Sequence, residues 1–123
     1  MATQSFQVRE NRKTSASAEV TFELLYGPQY TLIHKDILFN LGIEPYREMI
    51  FEVWVEDDMD GLLIKISRKV GEAYFELNGV GAMSPVVFGE EDDMPVIGEC
   101  TITALGFHLY SASSVLEPLE MNL

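Results

Sequence analysis

The sequence predicts a mostly β, closed, barrel-like domain with one or two short helices. Short stretches in which apolar and polar residues alternate recur along the 123 residues, and turn-forming residues separate them. Only two segments, both short, have helical spacing. Many short strands with few helices are typical of barrels and related closed β folds.

The predicted domain organisation is simple. Residues 1–17 are polar and predict an N-terminal arm or an edge strand. Residues 18–123 follow as one domain, because no linker or low-complexity tract interrupts them. A chain of this length can bury a single core that covers roughly two-thirds of its unfolded surface.

The first predicted strand covers residues 19–24, with Val20, Phe22 and Leu24 on one face. Leu25 breaks the alternation, because an apolar side chain falls on the polar face. We therefore expect this end of the strand to face a partner subunit or a cleft rather than water.

Gly27 and Pro28 end that strand, and residues 31–33 resume an apolar stretch. Residues 34–41 are expected to form a short helix, with Gly42 as its stop.

A long hairpin is predicted next, from alternation over residues 49–55 and again over residues 62–66. The acidic residues 56–61 form the turn between them and are typical of a solvated loop. As a calcium loop this turn would need a Glu at its twelfth position, where the chain has Ser67, so an EF-hand is not predicted.

Residues 73–77 alternate into Asn78-Gly79, which is the strongest hairpin signal in the chain. A helix of about two turns is expected to end at Leu105, before Gly106. The remaining strands are expected at residues 86–88, 107–110 and 115–119.

Composition excludes some classes of partner. The chain has 20 acidic and 8 basic residues, a net charge of -12. Nucleic acids and anionic membranes are disfavoured, because phosphate binding depends on Lys and Arg. The start of the chain lacks the basic and apolar regions of a signal peptide, and Cys100 has no second cysteine to pair with. We therefore expect a cytoplasmic protein.

Two segments resemble the retropepsin-like family, the retroviral-type, single-lobe aspartic proteases. Residues 95–107 are similar to the end of a retropepsin lobe, where two apolar residues and a Gly precede a short helix and a Leu-Gly pair. Residues 27–43 are similar to the segment that runs from the active-site Gly through a Thr to a helix ending in Leu-Gly. With weaker similarity between them, the resemblance covers residues 20–119.

The resemblance implies a homodimer in which each subunit gives one Asp to a pair that activates water. In this chain Gly27 matches the Gly of the family's Asp-Thr/Ser-Gly motif, Tyr26 matches the Thr or Ser, and Leu25 matches the Asp. Leu25 has no proton to exchange, so no catalytic residue is expected here. Leu25, Tyr26 and Pro28 are instead candidates for the dimer axis.

The hairpin corresponds to the flap of the family and supplies the candidates for a cleft. These candidates are Trp54, Asp58, Met59, Asp60 and Gly61. For Trp54, packing at the base of the hairpin is the competing interpretation.

The sequence thus predicts a homodimeric binding or scaffold module for an extended peptide or a protein partner, without peptidase activity. The alternative is an active aspartic peptidase that uses a displaced carboxylate. Glu23 lies two residues upstream of Leu25, about 6.6 Å away along a strand, and Asp36 lies in or near the first helix. We expect no cofactor and no metal, since His34 and His108 lack ligand spacing around them.

Overall fold

A computed structural model describes residues 2–25, 27–56, 61–109 and 116–118. The chain is mostly β with two short helices, as predicted. The elements are β1 (Thr3–Arg9), β2 (Ser17–Glu23), β3 (Thr31–His34), α1 (Lys35–Asn40), β4 (Arg47–Glu56), β5 (Gly61–Leu77), β6 (Val80–Gly89), α2 (Glu99–Ala104), β7 (Phe107–Leu109) and β8 (Leu116–Pro118).

Six strands form one sheet in the order β2-β1-β5-β6-β3, with β4 added to β5, and β7 pairs with β8. β3 runs parallel to β6, and the other pairs are antiparallel. The described strands do not close into a barrel, because β2 and β3 stand at opposite ends of the order. Val96 approaches both of these strands through isolated bridges with Glu23 and Leu32. Of the predicted fold class, the mostly β part is confirmed and closure is not found in the described strands.

The N-terminal segment is part of the sheet. The sequence predicts an arm or an edge strand in residues 1–17, but β1 pairs with β2 along its whole length and with β5 over Gln7–Arg9. Phe6 and Val8 are the reason, because both side chains are buried in the core. β1 therefore lies inside the sheet order.

The long strand β5 carries two neighbours in succession on the same side. Its first part pairs with β4, up to Val70, and residues 74–76 pair with β1. β6 pairs with the other side over residues 70–77. The β4–β5 hairpin thus extends beyond the sheet body, as predicted. The turn to β6 has Asn78 and Gly79 at φ of 52° and 82°, which is typical of a tight hairpin turn.

The core lies where the apolar faces of β1, β2, β5 and β6 meet the two helices. Phe6 and Phe22 pack edge to face with ring centroids 5.8 Å apart. The other buried side chains of this cluster include Val8, Val20, Leu24, Ile33, Leu38, Phe75, Val86, Phe88, Ile97, Ile102 and Leu105.

Both helices occur close to their predicted positions. The Asp36 N–H donates to His34 Nδ1 at the start of α1, and Gly42 follows the helix at φ 83°. α2 ends before Leu105, with Gly106 at φ 82°. Positive φ suits glycine after a helix, because no Cβ is present to clash. Among the described residues, no helix is long and apolar enough to cross a membrane.

Candidate functional site

The loop that follows β2 lies on the start of α2. The Glu99 N–H donates to the Pro28 carbonyl at 2.9 Å, and the Cys100 N–H donates to the Gln29 carbonyl at 3.1 Å. Gln29 Nε2 also donates to Glu99 Oε2 at 3.1 Å. These bonds use N–H groups that the first turn of a helix leaves without intrahelical partners. The loop is therefore fixed by the same residues that begin α2.

Gly98 allows this close approach. A Cβ added at Gly98 would lie 2.2 Å from the carbonyl carbon of Tyr30 and 2.5 Å from the nitrogen of Thr31. Backbone atoms cannot yield as the end of a side chain can. A glycine is therefore required here for the loop to pass over α2.

A buried cluster of three hydroxyls, from Thr31, Ser84 and Thr101, lies beneath the loop. Thr31 Oγ1 and Thr101 Oγ1 are 2.5 Å apart, and Thr101 Oγ1 lies 2.8 Å from Ser84 Oγ. The Gly98 N–H donates to Thr31 Oγ1 at 2.8 Å. All three side chains are at most 1% exposed. We call them the hydroxyl cluster; it joins β3, β6 and α2 below the loop.

Leu25 is 40% exposed, which is high for a leucine at the end of a core strand. It lines a small cavity of about 30 Å³ together with Gly27, Pro28, Glu99, Ile102, His108 and Leu109. Tyr26 lies outside the described residues.

A larger cavity of about 550 Å³ lies between this loop and the β4–β5 hairpin. Tyr30 and Phe51 meet at one side of it, with ring centroids 5.6 Å apart at 75°. We call it the cleft. Most of the side chains that line it are apolar, including Leu32, Met49, Val53, Ile66, Val87 and Val96.

β4 borders the cleft and leaves one edge free. Among the described strands it pairs only with β5. Such an edge presents unpaired N–H and C=O groups that can pair with another extended chain. The cleft therefore combines an apolar surface with a possible strand partner.

Of the predicted flap residues, Trp54 and Gly61 are described, and neither is among the residues that line the cleft. Trp54 belongs to the opposite face of the hairpin from Phe51 and Val53, because successive side chains of a strand alternate, and it is 63% exposed. A Cβ added at Gly61 would lie 1.7 Å from the Trp54 ring, so the ring covers Gly61. Asp58, Met59 and Asp60 lie outside the described residues.

A half-buried ion pair connects the hairpin to the loop after β6. Arg68 Nε and Nη2 donate to Asp93 Oδ2 and Oδ1 at 2.8 and 3.1 Å. The Glu90 N–H also donates to Asp93 Oδ2 at 2.7 Å. The hydrogen bond from Arg68 lowers the pKa of Asp93, and the same bond raises the pKa of Arg68. Since Arg68 also lines the cleft, this pair helps to fix the hairpin above it.

His34, Asp36 and Glu91 form a polar cluster at the start of α1. Their ligand atoms lie within 4.8 Å of one another, which is close enough for a shared cation. His34 Nδ1 already accepts from the Asp36 N–H at 3.1 Å, and Nε2 lies 3.2 Å from Glu91 Oε1. A helix cap with a polar contact to Glu91 therefore explains the arrangement without a cation.

The displaced acids considered from the sequence do not lie in the cleft. Asp36 belongs to α1, and Glu23 has an Oε1 that is buried without a hydrogen-bond partner. Sequence reasoning missed Glu99, which lines the small cavity beside Leu25. Its position follows from contacts between residues about 70 apart along the chain, which periodicity cannot reveal.

Comparison with known proteins adds no assignment: no protein-family model, no curated protein and no solved structure matches the chain. The retropepsin-like resemblance therefore rests on the residues quoted in the sequence analysis. Function is argued from the geometry of the cleft and its loop.

Proposed function

We propose that this chain is a retropepsin-like binding module that takes up an extended peptide segment and does not cleave it. The observation that carries the proposal is the apolar cleft between residues 27–30 and the β4–β5 hairpin. An extended peptide would add to the free edge of β4 and place alternate side chains against the apolar walls. This step needs no carboxylate pair.

The proposed module is a homodimer, with Leu25 and Pro28 near its two-fold axis. Leu25 is 40% exposed and is surrounded by apolar neighbours, among them Ile102 and Leu109, in the small cavity. An exposed apolar group of this kind is stabilised when a partner covers it. A dimer would also bring the loop after β2 of each subunit to the two-fold axis, as the resemblance implies.

The dimer is tested by Leu25→Glu, with Ser15→Glu as a control of equal charge at another exposed position. At about 5 µM chain we expect the wild-type protein and S15E to sediment as dimers and L25E as a monomer, because the two-fold axis brings both new carboxylates together. A wild-type monomer at that concentration, or an L25E chain that dimerises as tightly as the wild type, would overturn this part of the proposal.

Peptide binding is tested with a fluorescent pool of random decapeptides. Val53→Glu places a charge in the apolar cleft, whereas Val80→Glu places one at a similarly exposed position of β6; the two valines are 36% and 44% exposed. V53E should weaken binding about tenfold or more, because an unpaired carboxylate is costly to bury. Equal binding by V53E and V80E would refute the cleft as the site.

The competing proposal is an aspartic peptidase that uses another carboxylate, and Glu99 is the candidate because it lines the cavity beside Leu25. Denatured casein incubated between about pH 3 and pH 8 separates the two proposals. We expect no cleavage at any pH. Cleavage that a statine-type inhibitor blocks and that Glu99→Gln abolishes would establish the peptidase instead.

A further inference from the structure

The outer face of the β4–β5 hairpin carries exposed apolar side chains, of which Trp54 and Leu63 are not among the residues that line the cleft. Register places Trp54 opposite Leu63, Glu52 opposite Lys65, and Ile50 opposite Ser67. Because side chains alternate, these six point away from the face of Phe51. Ile50, Trp54 and Leu63 are 71%, 63% and 52% exposed. A single exposed apolar residue is ordinary, whereas three on one narrow ribbon indicate a contact surface.

The Trp54 ring lies against its own hairpin in the single chain. The ring occupies the space that a side chain at Gly61 would fill, with ring atoms 1.7 to 2.6 Å from an added Cβ. The rest of the ring is open to solvent, since Trp54 is 63% exposed. Tryptophan is enriched among the residues that dominate interface energies. The outer face therefore has an exposed apolar anchor.

The outer face is complementary to itself. A two-fold axis parallel to the strands would stack two hairpins about 10 Å apart, with β4 of one copy over β5 of the other. Trp54 of each copy then lies over Leu63 of the other, and Glu52 lies over Lys65. Both charges are exposed in the single chain. The symmetry therefore makes two apolar contacts and two opposite-charge contacts at once.

We propose that the outer face of the hairpin docks a second copy of this chain. This contact is separate from the proposed axis at Leu25, because it does not use the loop; of its residues, Ile50 and Glu52 also line the cleft. Two chains of charge -12 repel each other, so the contact is to be measured at about 0.15 M salt, where the Debye length is about 8 Å. Where both contacts form, the chain associates beyond a dimer.

The experiment is sedimentation of the full chain in the L25E background, which isolates the hairpin contact, over roughly 5 to 500 µM. Trp54→Ala should raise the dissociation constant by about tenfold or more. Glu52→Lys should raise it by about fivefold, because each of the two charge contacts then sets a lysine at position 52 against Lys65 of the other copy. Glu52→Lys combined with Lys65→Glu should restore the dissociation constant to within about twofold of that of the L25E chain.

The change in net charge separates the local contact of Glu52 from general repulsion between the chains. The wild-type charge of -12 becomes -13 in the L25E background, and E52K changes it by two, to -11, so general repulsion falls while the local contact is lost. Glu19→Lys makes the same charge change on exposed β2 and should not weaken association. Circular dichroism confirms that each variant is folded.

Two outcomes overturn the proposal. The first is an L25E chain that stays monomeric up to the highest concentration. The second is association that W54A and E52K leave unchanged, or that the double charge reversal fails to restore.

Discussion

Replacing Thr31 by Val tests whether the hydroxyl cluster holds the loop of the candidate site. Valine has nearly the volume of threonine, so the substitution removes one hydroxyl and leaves the packing almost unchanged. Thr31 is fully buried, and its Oγ1 accepts from the buried Gly98 N–H at 2.8 Å. It also shares a hydrogen bond with Thr101.

The expected loss follows from these two bonds. The substitution leaves the buried Gly98 N–H without an acceptor, which lowers the free energy of unfolding by about 1 to 3 kcal/mol. The lost bond to Thr101 adds about 1 kcal/mol, although Thr101 keeps its contact with Ser84 at 2.8 Å. We therefore expect T31V to lower the free energy of unfolding by about 2 to 4 kcal/mol. At ~4 °C per kcal/mol for a domain of this size, the melting temperature falls by roughly 8 to 16 °C.

The assay is urea and thermal unfolding followed by circular dichroism, with Thr31→Ser as the matched control. T31S keeps the hydroxyl and loses one buried methyl, for which we expect about 1 kcal/mol. A double-mutant cycle with Thr101→Val then measures the coupling between the two hydroxyls. The reasoning is refuted if T31V is within about 0.5 kcal/mol of the wild type, or if T31S is the less stable of the two variants.

Two further substitutions test the supports of the cleft. Gly98→Ala should destabilise the fold by about 2 kcal/mol or more and weaken decapeptide binding, because the new Cβ would lie 2.2 Å from the backbone of Tyr30. A G98A variant with wild-type stability and wild-type binding would contradict the role given to Gly98. Asp93→Asn should cost about 1 to 2 kcal/mol at pH 7, measured by urea unfolding. The pKa of Asp93 is lowered in the folded state, chiefly by the hydrogen bond from Arg68. The Asp93 carboxylate therefore stabilises the fold above its ordinary pKa of 3.8, and this stabilisation is lost as the pH falls through the pKa of the folded state. The difference between D93N and the wild type should therefore shrink in acid, and a difference that persists at pH 2 would argue against an ionic pair.

Local sequence signals predicted much of the fold. The alternation around Val20 and Phe22 gives β2, and Asn78-Gly79 gives the turn between β5 and β6. Gly42 and Gly106 mark the helix ends, because each lies at positive φ directly after a helix. These features depend on neighbours within a few residues, and a single sequence records such neighbours directly.

Long-range contacts were harder to predict. β1 has only two apolar residues in its buried pattern, and its place between β2 and β5 follows from Phe6 and Val8 packing against distant strands. The hydroxyl cluster joins Thr31 to Thr101, and nothing in their separate surroundings marks them as partners. Of the candidate site, Leu25 was expected to face a partner subunit or a cleft; it is 40% exposed in the single chain and lines a small cavity. Trp54 was a candidate for the cleft, with packing at the base of the hairpin as the alternative, and the register of β4 places it on the outer face, opposite Leu63.

The central claim is that an extended peptide binds along β4 in the cleft and is not cleaved. Hydrogen–deuterium exchange of the full chain, with and without the decapeptide pool, measures this directly, and mass spectrometry of the same samples reports the state of the peptides. We predict slower exchange in β4 (Arg47–Glu56) and in residues 27–32, with every peptide recovered intact. Unchanged exchange in both segments, or peptides recovered as fragments, would contradict the account.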